Sequence, residues 1–143
     1  MTIEQLSVFI ENQPGKLVEA VETLAEAGID LRALSLADTA DFGILRVIVD
    51  KPALALNVLQ DAGYLVKSSD VIPVSVGDRP GGLAEALRVL SNAGIDVEYT
   101  YAFVAHSSDN AFVILRVGDN DAAVKVLTEG GIRLLSGDDI YGM

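Results

Sequence analysis

Apolar and polar residues alternate over Leu6–Ile10 and again over Val71–Val76, with Leu6, Val8 and Ile10 on one face and Ile72, Val74 and Val76 on the corresponding face. A period of two over a short apolar run predicts a β-strand. The period then changes. Leu17, Val21 and Leu24 are spaced i, i+4, i+7, as are Leu83, Leu87 and Leu90, which puts each trio on one side of a helix over about residues 15–27 and 81–93. Second strands are predicted over 29–37 and 95–105. Third strands are predicted over 42–50 and 111–119, in which Leu45, Val47 and Val49 face one way and Ile44, Arg46 and Ile48 the other. Second helices, over 52–63 and 120–131, each end at glycine, and final strands occupy 64–69 and 132–137.

The pattern is written twice. ENQPGKLVEAVETLAEAGID (11–30) and GDRPGGLAEALRVLSNAGID (77–96) are identical at 10 of 20 positions at an offset of 66. The shared Ile-Leu-Arg of the third strands sets an offset of 70 there, as if the second copy carried a longer hairpin around His106-Ser107-Ser108. Each half reads strand-helix-strand-strand-helix-strand. That order is the split βαβ, or ferredoxin-like, plan, an α+β fold with an antiparallel sheet and helices on one face. We therefore expect two such domains in tandem, residues 1–70 and 71–143. No flexible linker separates them, so rigid packing with a pseudo-twofold relation, edge to edge, is expected. The apolar character of both faces of the third strands suggests that the face away from the helices is covered too, most simply by a second chain in a homodimer.

Local chemistry accounts for the punctuation. Asn12 and Asp78 are turn and cap residues, Pro14 and Pro80 suit a first helical turn, and Gly28 and Gly94 suit left-handed C-caps. These turns serve the fold whether or not anything binds to them.

Composition narrows the function. With 21 acidic and 10 basic side chains, the net charge is −11, which excludes the counterion-displacing surface that nucleic acids require and disfavours an anionic membrane. There is no cysteine, so disulfides, thiolate metal sites and cysteine nucleophiles are excluded. No basic stretch precedes an apolar run at the start and no apolar run spans a bilayer, so a cytoplasmic protein is expected.

The Asx-x-Pro-Gly-x-Leu turn, followed by Ala-Gly-Ile-Asp at the end of the helix, closely resembles the ACT domain, and both copies carry it. The resemblance extends over essentially the whole chain. It implies a free-standing tandem ACT protein, a regulatory module that binds an amino acid where two copies meet and has no attached catalytic domain. By the same resemblance, the binding residues are Asn12, Pro14, Gly15, Lys16 and Leu17 with Ile29 and Asp30, and Asp78, Pro80, Gly81, Gly82 and Leu83 with Ile95 and Asp96. Backbone N–H groups at the helix start suit a carboxylate. Lys16 suits it as well, and Asp78 suits an ammonium. The second glycine at Gly82 is expected to open space over loop two, so that the two sites differ. The alternative is an interaction subunit of a metabolic enzyme that binds no small ligand.

Other features carry less. His106 stands alone as a metal or catalytic candidate, and Ser107 and Ser108 lack a base and an orienting partner. No cofactor and no metal are expected. Tyr99, Tyr101 and Phe103 share a strand face, as sheet packing or as a pocket wall. Arg46 and Arg116 recur at what the Ile-Leu-Arg match makes equivalent positions, and the Asp138-Asp139 pair reads as solvated surface. Acylphosphatase-like chemistry on this fold would need an arginine-bearing phosphate loop. Arg79 is the one candidate, and Gln13 replaces it in the first loop.

Overall fold

The computed structural model describes residues 1–39, 41–105 and 109–143. The chain divides into two units. One is Glu4–Ser69 with Gly142, and the other is Asp70–Tyr141 with Met1–Ile3 and Met143. His106, Ser107 and Ser108 lie outside the described residues.

The first unit is built from β1 (Ile3–Glu11), α1 (Lys16–Glu26), β2 (Leu31–Asp38), β3 (Phe42–Val49), α2 (Pro52–Asp61) and the start of β4 (Leu65–Gly77). Its strands lie in the order β2-β3-β1-β4, and β3 pairs antiparallel with both β1 and β2. The core follows the period-two pattern. Leu6, Val8 and Ile10 of β1 meet Leu45, Val47 and Val49 of β3 under Ala20 and Leu24 of α1 and Ala55 and Leu59 of α2. Each large side chain buried this way contributes about 1.5–3 kcal/mol relative to exposure.

The second unit repeats the plan. From Asp70 onward β4 serves as its first strand, followed by α3 (Gly82–Asn92), β5 (Val97–Ala102), β6 (Asn110–Val117), α4 (Asn120–Glu129) and β7 (Arg133–Leu134). Here β4 pairs antiparallel with β6 on one side and β7 on the other, and β5 pairs with β6. Ile72, Val74 and Val76 meet Val113, Leu115 and Val117 under Ala86, Leu90, Ala123 and Leu127. No helix among the described residues is long and apolar enough to cross a membrane.

Four features differ from the sequence expectation. First, the final strand of the first copy and the opening strand of the second are one unbroken strand, β4. Second, the predicted final strand over 132–137 shrinks to the two residues of β7, and a short helix, α5 (Gly137–Tyr141), follows. Ser136 accepts from the Asp139 amide at 3.1 Å, while the Asp139 carboxylate accepts from the Ser136 amide at 2.9 Å. That reciprocal box starts a helix where the apolar pattern suggested continuing strand. It also gives Asp139, read as mere surface, a local role. Third, the inward helix stripe is Ala20 and Leu24, not Leu17, Val21 and Leu24. Val21 is half-buried and Leu17 is 37% exposed, because small residues let the helix settle close to the sheet.

The fourth is the strand register. Leu45 lies opposite Val8, and Val113 lies opposite Val74, so the third strands match at an offset of 68, not 70. The hairpin insertion is therefore two residues. Arg46 corresponds to Ile114, and Ile48 to Arg116. The two Ile-Leu-Arg runs are therefore out of register by two residues, a shift that keeps every side chain on its own face and so leaves the alternation unchanged.

Candidate functional site

Both Pro-Gly loops are built alike. In the first, the Gln13 amide donates to Glu11 O at 2.9 Å, the Lys16 amide to Gln13 O at 3.2 Å, and the Glu19 amide to Gly15 O at 3.1 Å. In the second, the Arg79, Gly82 and Glu85 amides make the corresponding bonds to Gly77, Arg79 and Gly81 oxygens at 2.9, 3.0 and 3.1 Å. Gly15 and Gly81 are the N-caps, with φ of 88° and 86°. A side chain at that φ is strained, so glycine is required there. Pro14 and Pro80 consequently lie before the cap, outside the helices rather than in the first turn as expected. Asn12 and Asp78 do not cap either. Asn12 Nδ2 donates to Asp38 Oδ1 at 2.9 Å, and neither helix has a side-chain cap. Among the described residues the amides of Leu17 and Val18, and of Leu83 and Ala84, make no hydrogen bond. They present donors at the positive end of a helix, an arrangement that favours an anion.

The Gly-Ile-Asp turns close the same helices at their far ends, with Gly28 and Gly94 both at φ 72° as expected. The 11 residues of α1 or α3 separate each loop from its own turn by ~16 Å. The predicted site residues of one copy are therefore not brought together within a unit. They form two clusters, Asn12–Leu17 apart from Ile29-Asp30, and Asp78–Leu83 apart from Ile95-Asp96.

The two copies differ at both ends. Beside the first loop is a cleft of about 370 Å³ lined by residues that include Phe9, Lys16, Glu19, Phe42 and Tyr64. Its counterpart in the second unit holds about 200 Å³ and is lined by Ser75, Gly77, Gly82, Glu85 and Asn110 among others. Gly82 explains the narrowing, and here the expectation of extra space is overturned. A Cβ on Gly82 would lie 1.9 Å from the Gly77 carbonyl oxygen. The missing side chain lets the start of α3 close onto the strand instead of leaving a void. Arg79, the phosphate-loop candidate, is paired with Glu85 at 2.5 Å.

At the turns the contrast reverses. The Asp30 amide donates to Asp50 Oδ1 at 2.9 Å, the Asp50 amide to Asp30 O at 3.2 Å, Arg32 Nη1 pairs with Asp30 Oδ2 at 2.6 Å, and Lys51 Nζ donates to Gly28 O at 3.1 Å. In the second unit the strand register puts Gly118 in the place of Asp50. Asp119, in the place of Lys51, turns away to cap α4 by accepting from the Ala122 amide at 3.1 Å. The turn there borders a hollow of about 420 Å³ lined by Leu87, Ser91, Gly94, Ile95, Asp96 and Val97.

Sequence reasoning missed Asp50, Arg32, Lys51, Phe9, Phe42 and Tyr64, because each reaches its place through strand register and not through chain proximity. Tyr99 and Tyr101 stack at 6.4 Å and Phe103 meets Phe112 edge-on at 6.2 Å, on the sheet face away from α3 and α4 and outside the clefts above. Arg116 Nε pairs with Glu98 Oε2 at 3.4 Å, and its Nη1 donates to the Asp70 carbonyl. Among the described residues no group of three or more His, Cys, Asp or Glu is placed to hold a metal ion.

Comparison with known proteins adds to this geometry. A family profile described as an ACT domain pair matches residues 1–143. A crystallised protein from Bacteroides thetaiotaomicron is 40% identical, covering 100% of this chain and 98% of that one at a TM-score of 0.93. The regulatory subunit of aspartate kinase from Thermus thermophilus, crystallised ligand-free, is 21% identical over 89% of this chain and 91% of its own, at a TM-score of 0.66. That from Thermus flavus is 19% identical over 90% and 92%, at 0.61. These two show likeness of fold. No curated protein matches the chain.

Proposed function

The chain belongs to the ACT domain pair family, and on that premise we propose that it is a cytoplasmic regulatory protein, not an enzyme, that binds a free amino acid at an interface between ACT domains beside the Pro-Gly loops. The domain boundary in this reading falls between residues 70 and 71. The observation that carries it is the duplicated loop, in which a left-handed glycine cap leaves helix-start amides without a protein acceptor. Those amides suit the ligand's α-carboxylate, and the aspartate of a Gly-Ile-Asp turn suits its ammonium. One loop and its own turn stand ~16 Å apart, too far for one amino acid to touch both. The two ends of the ligand are therefore met by different ACT domains.

A ligand that bridges domains favours the arrangement in which it fits, and a metabolic enzyme or regulator would read that arrangement. A second copy of the chain is the natural partner. Leu34 and Leu36 on β2, at the end of the strand order, are 40% and 50% exposed, and an interface would cover them. Isothermal calorimetry against pooled L-amino acids tests the reading. Heat confined to one pool, with a rise in Tm for the same compound, is expected. Silence in every pool refutes it and leaves an interaction subunit that binds no small ligand.

A further inference from the structure

We infer that the cleft beside the first loop receives the side chain of an aromatic amino acid and that its counterpart in the second unit does not. The inference rests on the reading above that the first loop, with Lys16, meets the charged end of an amino acid. It adds the ligand's class and the copy that selects it.

Phe9, Phe42 and Tyr64 are among the residues that line this cleft. Phe42 is 52% exposed, so it leaves apolar surface uncovered. The cleft's ~370 Å³ lies within the range of small-ligand sites, which are mostly apolar with a few polar groups that fix orientation. A guest ring beside aromatic residues gains area burial and the offset or edge-on contacts that aromatic pairs favour. The cation at the rim suits the carboxylate end of the ligand. Lys16 Nζ is 3.8 Å from Glu19 Oε2, a loose pair on the helix surface in which both partners remain exposed. The ligand carboxylate meets the Lys16 ammonium beside the loop amides, and its ammonium is left to the turn of another ACT domain.

The second unit has lost each of these features at matching positions. Glu11 pairs with Phe42 where Gly77 pairs with Asn110, so Asn110 replaces Phe42. By the same register Ser75 replaces Phe9. Ile132, after left-handed Gly131, replaces Tyr64, after left-handed Gly63. Gly82 replaces Lys16, and Glu85, in the place of Glu19, is held by Arg79. No aromatic residue is among those lining that cleft, and its cation is Arg133, on the strand side and not on the helix.

The test is calorimetry on the full chain with L-phenylalanine, L-leucine and the remaining amino acids. Phe42→Asn places the second unit's own residue in the first cleft, at an exposed position where folding is spared. Tyr64→Ile, also taken from the second unit, serves as a second variant. We expect L-phenylalanine to bind more tightly than L-leucine. Phe42→Asn should weaken it about tenfold or more, whereas Asn110→Phe in the second unit should leave it within about twofold. Equal affinity for leucine and phenylalanine, or an unchanged affinity in both Phe42→Asn and Tyr64→Ile, overturns the inference. Binding of a non-aromatic amino acid alone overturns it while leaving the regulatory reading intact. Absence of binding by all twenty overturns both.

Discussion

The two Gly-Ile-Asp turns carry the same residues, with their glycines at the same φ of 72°, yet one is locked and the other borders a hollow. Asp50, Arg32 and Lys51 hold the first, while Gly118 leaves the second without the carboxylate that would receive its Asp96 amide. The Pro-Gly loops show the opposite bias, with an open cleft beside Lys16 and a narrow one where Gly82 lets backbone meet backbone. The repeated residues are those the backbone needs: left-handed glycines, caps and inward apolar positions. What differs between the copies is the side chains around those residues. The duplication conserves a scaffold, and the divergence decides which end of each copy is accessible.

That comparison is broken or sharpened by substitution at matched positions. The largest effect is expected in the cores, where the copies are equivalent. Leu24→Ala and Leu90→Ala should each cost about 2–5 kcal/mol in urea unfolding, because both side chains are buried at matching places over their sheets. A much smaller loss in one of them would mean that the halves are not equally packed. Next comes the loop contrast. Gly82→Ala drives a Cβ into the Gly77 carbonyl and should cost about 1–3 kcal/mol, whereas Lys16→Ala at the matching position should stay within about 0.5 kcal/mol. Thermal unfolding of the two variants side by side reads the difference.

Asp50→Gly copies the second turn into the first and removes the acceptor of the Asp30 amide. A loss of about 1 kcal/mol is expected, with faster hydrogen exchange at that amide. Unchanged exchange at the Asp30 amide would show that Arg32 and Lys51 hold the turn without it.

The smallest effect lies at the last helix. The Asp139 carboxyl is held below its ordinary value of 3.8, chiefly by the Ser136 amide, then by the Ser136 hydroxyl and the charge of Arg133. A depressed carboxyl stabilises the folded chain above its unfolded value, and that contribution disappears as pH falls through the lower folded value. An acid titration of Tm should therefore show a steeper loss below pH 3.8 in the native chain than in Asp139→Asn. Parallel curves would mean that the box contributes nothing to stability.

Much of the architecture was legible because its causes are local. Period two put Leu6, Val8 and Ile10 on the core face, and glycine at 28, 63, 94 and 131 marked helix ends because each sits at positive φ. The capping box Ser136-x-x-Asp139 was equally readable and was passed over because the apolar pattern before it suggested strand. The offset of the third strands was not readable. A two-residue slip preserves the alternation, and only the pairing of Leu45 with Val8 and of Val113 with Val74 shows that Arg46 and Arg116 are not equivalent.

The sequence by itself determined the duplicated βαββαβ order, the inward faces of the strands and the positions of the helix-ending glycines, because hydrophobic period and backbone sterics act over a few residues. The tertiary structure alone decided that the two expected site clusters of each copy stand at opposite ends of a helix, that Asp50 locks one turn, and that Phe9, Phe42 and Tyr64 line one cleft with Lys16 while Gly82 closes the matching one. Those outcomes depend on which residue lies across from which once strands pair and backbones approach. Neither spacing nor composition encodes that proximity.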